Sequence, residues 1–217
     1  NVPGKIDLSM QVKGDNILPL AQALGFAAQG LEEAWPVALK GPLRWQDQTF
    51  GFGPLTGEVK QRPVSGDLLL MPERNRIEGR LGLGSLALED VASLVTGPIP
   101  ASTTGSFWPS MRFGDTPVKT VDLAIGLTLD QFTLGRDLAL TSTKLLLKRE
   151  GETLSLQLQE GLFGTGQISG QLNLRRDGGR LGATLRLGAK DLVLADLWGT
   201  QNGINGQIGL ALDIGSS

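Results

Sequence analysis

Two glycine-punctuated stretches, GFGPLTG at 51–57 and GTGQISG at 164–170, come nearest in this sequence to a nucleotide-binding loop. Holding a phosphate that way requires glycines at set spacing and a helix behind them whose N-terminal N–H groups face the anion. Both stretches carry three residues where the dinucleotide pattern has two, and the second runs straight into strand-like alternation. They read as β turns or bulges. Gly161 to Gly166 is followed by Gln167, so the Lys and Ser or Thr of a phosphate loop are missing too.

The 22 acidic residues could furnish a glycosidase carboxylate pair or calcium ligands. They do not cluster at ligand spacing, and Asp177, Glu152 and Asp191 fall at turns or on polar faces, where solvated acids belong. Trp35, Trp45, Trp108 and Trp198 have the ring chemistry of a sugar-stacking platform but no regular spacing. His and Cys are absent, which removes Ser-His and Cys-His nucleophiles, zinc sites of nitrogen and sulfur ligands, and disulfides from this sequence. A net charge of −2 provides no excess of cations to neutralise a row of phosphates. No catalytic residue, metal, cofactor or nucleic-acid partner is expected.

What remains is leucine, at 39 of 217 positions. In Leu154-Ser155-Leu156-Gln157-Leu158-Gln159 every apolar residue points one way and every polar one the other, provided the segment is a strand. The same period of two recurs at 123–129, 171–175 and 184–187, separated by turn signals such as Glu150-Gly151, Asp177-Gly178-Gly179 and Asn202-Gly203. With 31 Gly and 11 Pro, a helix bundle is excluded. Short helical segments are expected at 18–28, at 89–95 and near 195–198. The expected fold is mainly β: a twisted, curled antiparallel meander, forming a groove or partly open barrel, with two internal copies and a few short helices.

The copies emerge on sliding the chain by 104 positions, which lays Ser65-Gly66 over Ser169-Gly170, Leu68 over Leu172, Leu70 over Leu174, Leu81 over Leu185 and Leu83 over Leu187. A first β unit at 1–97 and a second at 118–217 are expected to form one continuous structure. Between them, residues 96–117 hold four prolines, and the linker proper is set at 98–117. It reads as a connector pinned by Phe107, Trp108, Met111 and Phe113, or alternatively as a binding lid. The sequence is read as part of a longer protein.

Leucine recurs where an interior of this size would mix in Phe, Ile, Val and Tyr. Flexible aliphatics with few aromatics suit a surface that accepts acyl chains, each buried methylene contributing about 0.8 kcal/mol. The lipid-facing residues expected from alternation are Leu154, Leu156, Leu158, Leu172, Leu174, Leu185 and Leu187, with Leu68, Leu70, Leu81 and Leu83 in the first copy. On this reading Leu156→Asp with Leu172→Asp abolishes lipid co-purification. The competing reading is a closed leucine core in a scaffold whose sheet edges or Pro-rich loop dock assembly factors by strand addition.

Residues 121–217, with VDLAIGLTLDQFTLG, LSLQLQEGLFGTGQISGQLNL, the DGG turn, LRLGAKDLVLADLWG and GINGQIGLALDIGSS, resemble the C-terminal region of the AsmA family. Residues 38–96 resemble a weaker, earlier copy. The resemblance implies a non-enzymatic, periplasmic protein of the Gram-negative envelope, anchored in the inner membrane by an N-terminal helix outside this sequence and involved in outer-membrane biogenesis. It further implies kinship with TamB and the bridge-like lipid-transfer proteins, whose curled sheets form an apolar groove, and hence phospholipid as the ligand. Envelope assembly proteins are the other partners it implies.

Overall fold

The alternating segments do become strands. A computed structural model describes residues 5–16, 35–91, 121–134, 138–177, 180–193, 207–208 and 211–216. It contains β1 (Lys5–Gly14), β2 (Val37–Gln46), β3 (Thr49–Val59), β4 (Arg62–Met71) and β5 (Arg76–Ala87). These are followed by β6 (Asp122–Thr133), β7 (Ala139–Glu150), β8 (Thr153–Phe163), β9 (Gly166–Asp177) and β10 (Arg180–Lys190). β11 (Leu192–Val193), β12 (Gln207–Ile208) and β13 (Ala211–Ser216) complete the set.

All but β11 and β12 join one 11-stranded sheet in the order β1 to β10, then β13. Its two outer strands, β1 and β13, are not paired with each other, so the twisted, curled sheet is not closed into a barrel. Strands of both halves thus belong to one sheet. β11 and β12 form a separate two-stranded ribbon.

The expectation of an all-antiparallel sheet is corrected at one place: β5 and β6 run parallel, with Arg76 beside Asp122 and Ala87 beside Thr133. A parallel neighbour requires a crossover of a dozen or more residues, and the connection at 88–121 is long enough to provide one. That connection opens with a helical turn at 88–91, where the Ala87 N–H donates to Asp90 Oδ2 at 3.3 Å. This is the reach-back half of a capping box and agrees with a helix start expected at Glu89-Asp90. The expected helices at 18–28 and near 195–198, the rest of the one at 89–95 and the anchors of the Pro-rich loop lie outside the described residues.

Strand bounds follow the offset found in the sequence. β3 spans Thr49–Val59 and β8 Thr153–Phe163, each bound 104 residues on; β4 starts at Arg62 and β9 at Gly166, β5 at Arg76 and β10 at Arg180. The glycine stretches fall at bulges and turns. GFGPLTG lies within β3, where pairing with β4 shifts between Phe52 and Leu55, and GTGQISG spans the turn at Gly164-Thr165 and the start of β9.

Gly66 shows what close strand approach demands. Its φ of +143° is unfavourable for L side chains, and a Cβ there would collide with the Arg80 carbonyl oxygen and lie 3.0 Å from Leu81 Cα. Gly66→Ala is expected to cost about 3 kcal/mol. Gly151, with φ +54° and nothing within 4 Å of an added Cβ, is the control: Gly151→Ala should cost about 1–2 kcal/mol. Equal midpoint shifts for the two in urea would show that backbone contact at Gly66 is not what excludes a side chain.

Candidate functional site

Register decides what period-two alternation alone leaves open: whether the apolar faces of successive strands coincide. They do. One ladder crosses the whole sheet from β1 to β13 as Leu8, Leu43, Phe52, Leu68, Gly79, Ile125, Leu147, Leu156, Leu172, Leu185 and Ile214, each directly opposite the next. Parallel ladders carry Leu70 in line with Leu154 and Leu174, and Leu81 in line with Leu158 and Leu187, while Leu83 stands between Val64 and Leu129. All eleven leucines singled out from the sequence therefore share one face.

The opposite face is wet and carries its own register marks. Asp7 pairs with Arg44 at 3.4 Å, Asp67 with Arg80 at 3.6 Å and Lys144 with Glu160 at 2.7 Å, and each pair consists of residues directly across from one another on neighbouring strands. All six side chains are at least half exposed, so each pair contributes only about 0–1 kcal/mol. Their larger effect is on alignment, because a one-residue slip would set these charges against leucines.

Burial along the apolar face is uneven. On β6 to β9, Leu129, Leu145, Leu154, Leu156, Leu158 and Leu174 are buried, joined in one cluster by Val91 of the helical turn and Leu192 of β11. This part is a dry core. On β2 to β5 cover is patchier: Val37, Leu55 and Val64 are buried, while Leu43, Phe52, Leu68, Leu70, Leu81 and Leu83 are only half-buried. At the edge Leu8 is 57% exposed, and Phe50, tilted against Trp45 at 6.5 Å, is 36% exposed. Leu172, Leu185 and Leu187 on β9 and β10 are again half-buried.

Of the expected lipid-facing residues, Leu154, Leu156, Leu158 and Leu174 are thus already covered. Alternation also misses part of the face. Leu145-Leu146-Leu147 shows no period of two, yet the flanking residues put Leu145 and Leu147 inside. In β7 Ser142 sits at φ +48°, and Leu140 and Thr143 on either side of the break are both fully buried. In β8 Gln159 and Glu160 are both exposed, after which Leu162 emerges on the wet face. Each break inserts one residue and inverts the alternation beyond it.

Among the described residues one ionic side chain is buried on the apolar face. Arg149 stands between Leu123 and Leu154 in the ladder and is 3% exposed. Its Nε donates to the Gly151 carbonyl at 3.4 Å, while the Gly151 N–H donates to Asp122 Oδ1 at 3.0 Å. Burial lowers its pKa from the usual guanidinium value, opposed by Glu152 and Asp122. The apolar shaft fills the core, and the head reaches the turn at the end of the strands. Because Asp122 and Glu152 are not themselves buried, Arg149→Met should leave stability unchanged or raise it by up to about 2 kcal/mol. A loss above that size in urea unfolding would show that the guanidinium is a required strut.

Two shallow depressions of about 520 and 660 Å³ are present; the second lies over the wet face, lined by Gln157, Glu160, Ser169, Gln171 and Arg186 among others. No set of three or more metal-ligating side chains occurs among the described residues. No helix among them is long and apolar enough to cross a membrane. Comparison with family models, with curated proteins and with solved structures finds no match.

Proposed function

We propose that this chain is a non-enzymatic segment of an AsmA-like envelope protein that shields phospholipid acyl chains on the open half of its apolar face. The observation that carries the reading is the continuous ladder from Leu8 to Ile214, buried at Leu147 and Leu156, half-buried at Leu43, Phe52 and Leu68 and exposed at Leu8. A surface of half-buried aliphatics adjoining a rigid core gives an acyl chain a bed without requiring the core to open. If half of a chain of about fifteen methylenes is covered there, roughly 6 kcal/mol is gained. Leu8, Leu43, Phe50, Phe52, Leu68 and Leu70 would form the bed, with headgroups at the strand ends.

The coincidence of strand bounds at an offset of 104 supports two copies of one β unit, of which the second has become the core and the first the ligand-bearing part. The resemblance in sequence adds the setting: the periplasm, an inner-membrane anchor elsewhere in the parent protein, and a part in outer-membrane biogenesis. A fluorescent fatty-acid probe tests the binding step. Saturable enhancement, competed by phosphatidylethanolamine vesicles, is expected; no enhancement beyond that of a closed β-sheet control protein would refute it.

A second reading is favoured by the burial of Leu145 and Leu154 to 1% exposure: a scaffold with a closed leucine core and no lipid. It requires the β1 to β5 face to be covered by something other than lipid, and then the probe finds no site.

A further inference from the structure

The outer edge of β1 faces no strand among the described residues, and Asp7, Leu8, Ser9, Gln11 and Lys13 are exposed. Sheets usually guard such an edge with a short strand, a proline, a bulge or charged side chains. β1 has only the last, Asp7 and Lys13: it is ten residues long, has no proline and matches β2 at ten consecutive positions without a shift. Its backbone is a regular template for one more strand.

We propose that β1 pairs antiparallel with β1 of a second copy about a two-fold axis through Met10. Same-face pairing requires even residues opposite even and odd opposite odd, so the axis must pass through a residue. An axis at Met10 sets Leu8 opposite Val12, Ser9 opposite Gln11 and Asp7 opposite Lys13, and two-fold symmetry makes each pair twice. Moving the axis to Ser9 sets Lys5 against Lys13; moving it to Gln11 sets Asp7 against Asp15. Only the Met10 register of these three opposes unlike charges, and it follows the rule the sheet already uses at Asp7–Arg44, Asp67–Arg80 and Lys144–Glu160. The dimer continues one sheet through both copies with both apolar faces on the same side. It rests on the β1 edge and its charges and is independent of the lipid reading.

Sedimentation equilibrium of the full chain is expected to give twice the 23.0 kDa chain mass. Lys13→Glu sets like charges opposite each other twice without touching the apolar face and is expected to raise the dimer dissociation constant about tenfold or more. The chain has no cysteine, so single introduced thiols report register cleanly. Residues on a two-fold axis of paired strands lie about 4.5–5.5 Å apart by Cα, within disulfide reach. Met10→Cys should therefore yield a disulfide-linked dimer on mild oxidation and Leu8→Cys should not, whereas Leu8→Cys with Val12→Cys should. A monomer at high concentration, open-ended oligomers, an unchanged constant for Lys13→Glu, or cross-linking through Leu8→Cys in place of Met10→Cys would each overturn the proposal.

Discussion

Leu145→Ala is expected to lower the free energy of unfolding by about 2–5 kcal/mol, and Leu8→Ala by less than about 1 kcal/mol, although both leucines belong to the same apolar face. Leu145 is 1% exposed and sits in a cluster with Leu127, Leu158 and Val91, so its removal leaves a cavity as well as lost transfer energy. Leu8, 57% exposed on β1, leaves no cavity to collapse. Urea titrations of the two variants with equal m-values would make the comparison direct. Equal losses would mean that the face is uniformly covered, and the division into a dry half and an open half would be wrong.

Leu8→Asp combined with Phe50→Asp is expected to reduce phospholipid binding at least tenfold while the free energy of unfolding in urea falls by less than about 2 kcal/mol. Both side chains are at least a third exposed, so the carboxylates keep their hydration in the empty protein. A bound acyl chain would strip that hydration and leave charges without partners, which is the discriminating cost. The pair Leu156→Asp and Leu172→Asp, which the sequence alone recommends, is the wrong test. Leu156 is 4% exposed, and a carboxylate there abolishes the core before it reports on any ligand. Retained binding by the Leu8→Asp/Phe50→Asp protein would move the ligand off the open half.

The sequence carries much of this design because leucine on alternate residues, bounded by Asp-Gly and Glu-Gly turns, has few structural solutions. Leu154 to Leu158, Leu172 to Leu174 and Leu185 to Leu187 are strands on one face, as alternation requires. What alternation cannot show is which residues lie over that face. Leu156 and Leu185 follow the same local pattern, yet Leu156 is buried and Leu185 half-buried, because Val91 and Leu192 belong to the cluster around Leu156. Non-local covers leave no mark in a local pattern. The bulges at Ser142 and Gln159-Glu160 are similarly silent: each needs one residue with unusual backbone torsion or pairing, and neither Ser nor Gln advertises it. The parallel step from β5 to β6 needs the long connection at 88–121 and leaves no mark in the residues of the two strands.

Native mass spectrometry of the purified chain, before and after incubation with phosphatidylethanolamine vesicles, tests the central claim most directly. The result expected is a protein carrying phospholipid in fixed stoichiometry, with the adduct lost in the Leu8→Asp/Phe50→Asp variant and kept in Lys13→Glu. A clean apo mass after incubation would contradict an acyl-chain site on this face and leave the closed leucine scaffold as the reading.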